Sequence, residues 1–301
     1  MTLTVTPWCT HSEPAMGSLS RSILDFIHSP YPVWEPHISE QLFLHTCSDL
    51  VKKGYITSED DYELAKVIIR DRPIEKALKE EIAHLGTKII RLEFAIDSRL
   101  NDFYHEHDLN LLSQDDVLKL GGVKQFSQAF RVLEISPDCA KCISVLCKSV
   151  HFLKQLAPEY DTSYSHPDVP FTVFISISDE TSATSTLRLA ESLLHESMHL
   201  KLSLIEGHLD LIKQDSEQLF YSPWREELRP IRGVLHGMFV FKAILDFYML
   251  LRVIYIGYPE QLDFVEWRIE KITSELKELN MFYLSEGLTS SGAILAKNLL
   301  P

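Results

Sequence analysis

Glycine is scarce in this chain, at 11 of 301 residues. Long stretches therefore lack the commonest breaker of regular structure, and helices are expected to dominate. Repeats and low-complexity segments are missing as well. Basic charge is in short supply: 29 Lys and Arg face 43 Asp and Glu, a formal net charge of −14. A phosphate backbone needs a basic footprint, so this balance argues against a general nucleic-acid role, and an anionic membrane would be repelled. Long uncharged apolar runs are also missing. The strongest candidate, residues 231–257, carries Arg232, His236, Lys242, Asp246 and Arg252. That is too polar for a membrane span and reads as one long buried helix. The opening MTLTVTPWCTHSEP has neither the basic nor the apolar region of a secretory signal, so a cytoplasmic protein is expected. Five irregularly spaced cysteines suit reduced thiols there. Cys139 and Cys142 form an unrepeated C-x-x-C, for which buried thiols are expected and a metal or redox site is the alternative.

Hydrophobic residues make up 45% of the chain, enough for a large core. Short amphipathic helices are expected over about 17–28 and 38–53, and another from Ser58 to Arg72. Pro73, at a first helical position, starts a further one, and the next runs from Thr87 to about His107. Asp138 is expected to cap a helix reaching Leu156. The clearest strand is Phe171–Ile177, preceded by Pro167 and Pro170. Helices over about 184–205, 230–256, 260–278 and 288–299 complete the chain. The fold predicted is mostly α: a multi-helix protein with a minor β element, its H-E-x-x-H helix packed against a long, buried C-terminal helix. A helical N-terminal part, 1–135, would offer a surface for a peptide, and 136–301 would form the catalytic part with a metal site.

The motif is His195–Glu196–Ser197–Met198–His199. Residues four apart share a helix face, so His195 and His199 project side by side and can take adjacent positions on one divalent ion. Leu187, Ala190, Leu194, Met198 and Leu202 mark the apolar side of that helix, so the histidines border a core, where an unpaired imidazole is costly. The protease pattern that needs Gly and His three and six residues after the second histidine fails, because Leu202 and Ile205 stand there. Glu206, Glu217, Glu226 and Glu227 are available as a third ligand, but none has the setting a peptidase uses. His208 reads as a surface residue. His236 is the better candidate, its alternative being a satisfied core histidine. Arg232 precedes it by four residues and Arg229 by seven, which would put all three on one helical face. Such a stripe in an apolar helix needs an anionic or metal partner, and Arg225 is expected to join it. Guanidinium groups beside a metal suit a bidentate carboxylate.

The ordered set Phe171–Ile177, Arg188–His199, Pro223–Pro230 and Arg232–Phe241 resembles the H-E-x-x-H peptide-modification family of ribosomally made, post-translationally modified peptides. The likeness covers the C-terminal half well and the N-terminal half only loosely. It implies an Fe(II)- and 2-oxoglutarate-dependent oxygenase that hydroxylates the β-carbon of a side chain in a ribosomally synthesised precursor peptide. It further implies that His195, His199 and His236 ligate the iron and that Arg229, or its neighbours Arg225 and Arg232, holds 2-oxoglutarate. Glu196 would then orient a ligand or handle a proton. The competing expectation is a zinc metallopeptidase with Glu196 as general base. A third is a non-enzymatic helical peptide-binding protein with a degenerate metal site.

Overall fold

Four polar side chains stand one residue ahead of a helix and close its first turn. Glu35 accepts from the amides of His37 and Ile38 at 3.0 and 2.9 Å. Ser113, Ser136 and Thr289 accept from Asp116, Cys139 and Gly292 at 3.2, 3.3 and 3.1 Å. Each satisfies at least one of the amides that a helix start leaves without a partner. In the computed structural model of the chain, the described residues are 18–29, 33–54, 80–85, 88–93, 101–157, 160–167, 169–179, 182, 184–214 and 216–301. The helices among them are α1 Ser18–Ile27, α2 Pro36–Lys52, α3 Asn101–Glu106, α4 Gln114–Leu120, α5 Gly122–Leu133 and α6 Pro137–Leu146. They continue with α7 Ser185–Glu206, α8 Ile231–Ile254, α9 Pro259–Glu278 and α10 Ser290–Asn298. The fold is thus mostly α with a small β part, and α7 packs along the long buried α8. Among the described residues, no helix is long and apolar enough to cross a membrane.

The five-stranded sheet holds β1 Glu80–Leu85, β2 Lys88–Glu93, β3 Ser149–Lys154, β4 Ser163–Ser165 and β5 Thr172–Ile177, in the order β1-β2-β3-β5-β4. β2, β3 and β5 run parallel, while the edge strands β1 and β4 run antiparallel to their neighbours. Alternation sorts the side chains onto two faces. Ile90, Leu92, Val150, Phe152, Val173, Ile175 and Ile177 join the main core with the helices. On the other face Leu153 and Phe174 meet Phe103 and Tyr104 of α3 in a smaller cluster. A separate hairpin pairs β6 Leu219–Ser222 with β7 Glu227–Pro230.

Two expectations about elements are corrected. Residues 87–107 do not form one helix: Lys88–Glu93 is a strand and only Asn101–Glu106 is helical. The helix expected from Asp138 to Leu156 is capped by Ser136, begins at Pro137 and ends at Leu146, after which the chain becomes β3. The segments expected as a helix over Ser58–Arg72 and as the start of one at Pro73 lie outside the described residues, and Glu80–Leu85 beyond them is strand. Position 135 separates no cores, since β2 before it pairs with β3 after it.

Candidate metal centre

Leu187, Ala190, Leu194, Met198 and Leu202 are all buried, which fixes the rotation of α7 about its axis. His195 and His199 consequently face a cavity of about 1000 Å³, walled by α7, α8, α9, the β4 segment and the β6–β7 turn. His236 of α8 reaches the same place. Nε2 of His199 lies 3.1 Å from Nε2 of His195, and its Nδ1 lies 3.3 Å from Nδ1 of His236. Nε2 of His236 is 3.0 Å from a Glu206 carboxylate oxygen, which also accepts from Arg232 at 2.7 and 2.9 Å. One set of tautomers satisfies the whole series. His195 donates to His199, His199 donates through Nδ1 to His236, and His236 donates through Nε2 to Glu206.

These residues suit a divalent ion in their chemistry. Two imidazoles on one ion at ~2.1 Å hold their nitrogens roughly 3.0–3.4 Å apart, the range both pairs show. Burial, helped by the charges of Arg225 and Arg268, lowers His195 to about 4. Burial lowers His199 to about 3, with His195 next in effect and Glu196 opposing. Both imidazoles are therefore neutral at pH 7, the form that ligates metals. His236 donates one ring N–H to a carboxylate, and an ion would take its Nδ1 lone pair in place of the His199 N–H, a common arrangement around ligating histidines. As placed, the three rings lie in series because His199 turns a different nitrogen to each neighbour. No three His, Cys, Asp or Glu side chains among the described residues converge on one point. Gathering all three on one ion needs a turn of the His199 ring.

Glu196 is held from the sheet edge. Ser163 donates to one carboxylate oxygen and Ser165 to the other, each at 2.6 Å. The Ser163-bonded oxygen is 3.9 Å from Nε2 of His195. Two serines flanking a tyrosine do this because alternate side chains of a strand share a face, and Tyr164 turns the other way onto His107.

The arginines do not form the single helical face expected of them. α8 starts at Ile231, so only Arg232 shares that helix with His236, and Arg229 belongs to β7. Arg232 is engaged by Glu206, and Arg229 lies 3.8 Å from Glu227. Arg225 sits in the turn between β6 and β7, at the cavity wall, with no acidic partner among the described residues. Its neighbour Trp224 seats that turn. A Cβ on Gly237 would come 2.0 Å from the Trp224 ring, so only glycine leaves the notch open. The indole then packs on Phe241 at 5.1 Å between centroids.

Of the glutamates weighed as a third ligand, Glu206 orients His236, and Glu226 and Glu227 are exposed in the hairpin. His208 packs on His45 of α2, at 4.4 Å between ring centroids. Sequence reasoning missed the clamp beside His195. Glu191, one turn ahead of it on α7, accepts from Tyr248 of α8 at 2.7 Å and from Arg268 of α9. The i−4 spacing from His195 and an arginine set among Val265, Ile269 and Ile272 were the available signals. The C-x-x-C cysteines are free, buried thiols, which burial pushes up in pKa. No protein-family model and no curated protein matches this chain.

Proposed function

We propose that the chain is an Fe(II)- and 2-oxoglutarate-dependent oxygenase that hydroxylates the β-carbon of a side chain in a ribosomally made precursor peptide, a cytoplasmic partner. One observation carries the reading: three imidazoles in contact share a cavity with an arginine that has no acidic partner among the described residues. His195, His199 and Nδ1 of His236 would hold the iron, which leaves positions for other ligands. With iron, 2-oxoglutarate and O₂ bound, decarboxylation to succinate supplies the oxidant, and one oxygen atom ends on the peptide. Arg225 is the guanidinium best able to grip the distal carboxylate of 2-oxoglutarate, because Arg232 and Arg229 already face Glu206 and Glu227. Glu206 fixes the His236 tautomer. Glu196, tied to Ser163 and Ser165, steadies the start of the motif beside His195.

The zinc peptidase remains the second reading, favoured by the 3.9 Å approach of Glu196 to His195. Mass spectrometry of an incubated precursor peptide separates the two. Oxygenation should require Fe(II), O₂ and 2-oxoglutarate together, with succinate released and one oxygen atom gained. Arg225→Ala should weaken 2-oxoglutarate binding roughly 10- to 100-fold, as loss of a charge-assisted pair does, with smaller effects for Arg229→Ala and Arg232→Ala. A cleaved backbone without cosubstrate, abolished by Glu196→Gln, would establish the peptidase instead.

A further inference from the structure

β4 is the outer strand of the sheet, and residues 160–167 form a continuous wall of the cavity that holds the three histidines. Its hydrogen-bonding direction follows from one bond. The amide of Ser176 donates to the carbonyl of Thr162 at 2.8 Å, and the register pairs Ser163 with Ile175 and Tyr164 with Phe174. In an antiparallel pair, residues alternate between facing the partner strand and facing away. Thr162 and Tyr164 therefore turn their backbone groups to β5, while Ser163 and Ser165 turn theirs outward. Neither outward residue has a backbone partner among the described residues. An edge strand with unsatisfied amides and carbonyls is a template for another strand. Here that template lines a cleft.

We propose that an extended peptide binds by adding a strand to the free edge of β4. The proposal rests on the peptide-modifying reading given above and names how that substrate is held. Only a backbone offers alternating N–H and C=O groups at the two-residue repeat that Ser163 and Ser165 present. The side-chain directions then select what reaches the metal centre. Residues directly opposite each other in a ladder place their side chains on the same face. Ser163 and Ser165 point to Glu196 on α7 at 2.6 Å, so peptide residues paired with them also turn toward α7 and the histidines. The residues between them turn toward Tyr164 and away from the site. Every second side chain is presented, and backbone contacts supply affinity without fixing the sequence.

Affinity selection of a synthetic random-decapeptide library on the full chain, followed by a backbone N-methyl scan of a selected decapeptide, tests this. N-methylation should weaken binding at least tenfold at alternate positions and little at those between. Ser163→Ala and Ser163→Pro both remove the hydroxyl bonded to Glu196, but only proline removes the outward N–H, which takes no part in the ladder. Ser163→Pro should therefore bind the decapeptide about tenfold more weakly than Ser163→Ala, with an equal melting temperature. No selected peptide, a scan without alternation, or equal binding by the two variants at equal stability would overturn the proposal. So would self-association that Ser163→Pro abolishes, because the occupant would then be a second copy. Should Ser163→Pro fail to fold, the N-methyl scan decides alone. Alternation without oxygenation of any peptide would leave the edge site standing and remove the oxygenase reading, and an oxygenated product with a flat scan would do the reverse.

Discussion

Gly237 has no room for a side chain beside the candidate site. The Trp224 ring occupies the space of its missing Cβ, at 2.0 Å, so Gly237→Ala must push the indole and the turn bearing Arg225 outward. Overpacking of this kind costs roughly 1–3 kcal/mol. In a Trp224→Ala background the same substitution should cost almost nothing, and denaturant midpoints of the four proteins test that coupling. Additive penalties would mean the notch is not what seats the turn. At the same scale, His195 and His199 titrate far below the ordinary 6.5, at about 4 and about 3. In metal-free protein the unfolded chain thus binds more protons than the folded one across that interval. The stability they confer is complete above pH 6.5 and is lost as pH falls toward 4 and then 3. His199→Asn should flatten the slope of melting temperature against pH between 6.5 and 4. A slope identical to that of the parent chain would remove His199 from the account.

Between elements, the clamp of Glu191, Arg268 and Tyr248 joins α7, α9 and α8 one turn from His195. Only 11% of the Arg268 side chain and 17% of that of Glu191 are exposed. Glu191→Leu leaves a nearly buried guanidinium unpaired and should cost roughly 3–5 kcal/mol, whereas adding Arg268→Met should recover most of it. Urea unfolding of the single and double variants checks both statements. The elements themselves were unevenly legible. α7, α8 and α9 could be read because each is long and bounded by punctuation, such as Pro230 ahead of α8 and Pro259 at the start of α9. β5 could be read from its β-branched and aromatic run. β3 could not, because a parallel strand covered on both faces has no polar alternation, and Val150 and Leu153 continue the spacing of Ile143 and Leu146. β2 does alternate, Ile90 and Leu92 against Arg91 and Glu93, but over too few residues to stand out, and β4, three polar-looking residues at an edge, gives almost no periodic signal. His236 was chosen for an arginine stripe that α8 does not carry, but the side-by-side placement of His195 and His199 on α7 was legible in helical spacing. The ranking of the arginines was not, since it depends on where β7 ends and on which carboxylate each guanidinium meets.

Over the whole molecule, the elements before and after position 135 share one core. Ile23, Leu42 and Phe126 lie in the same apolar cluster as Leu193, Met238 and Leu299. β2 pairs with β3, and Asn298 donates to the carbonyl of Ile27 at 2.8 Å. Lys201, fully buried on α7 two residues after the motif, donates to the carbonyl of Glu35 at 2.8 Å and lies over the Phe26 ring at 4.7 Å. The helix that carries His195 and His199 thus depends on α1 and α2 for its cover, although none of its proposed ligands comes from them. A fragment of residues 136–301 would hold every candidate ligand, yet it would expose the main core on one side and strand an ammonium that the full fold has desolvated. The full chain should unfold in a single cooperative transition, with helix signal and tryptophan emission coincident. The fragment should show no cooperative transition and no stoichiometric metal binding. A fragment that melts cooperatively and binds one metal ion per chain would show that 136–301 folds on its own and that the N-terminal cover is dispensable to the centre.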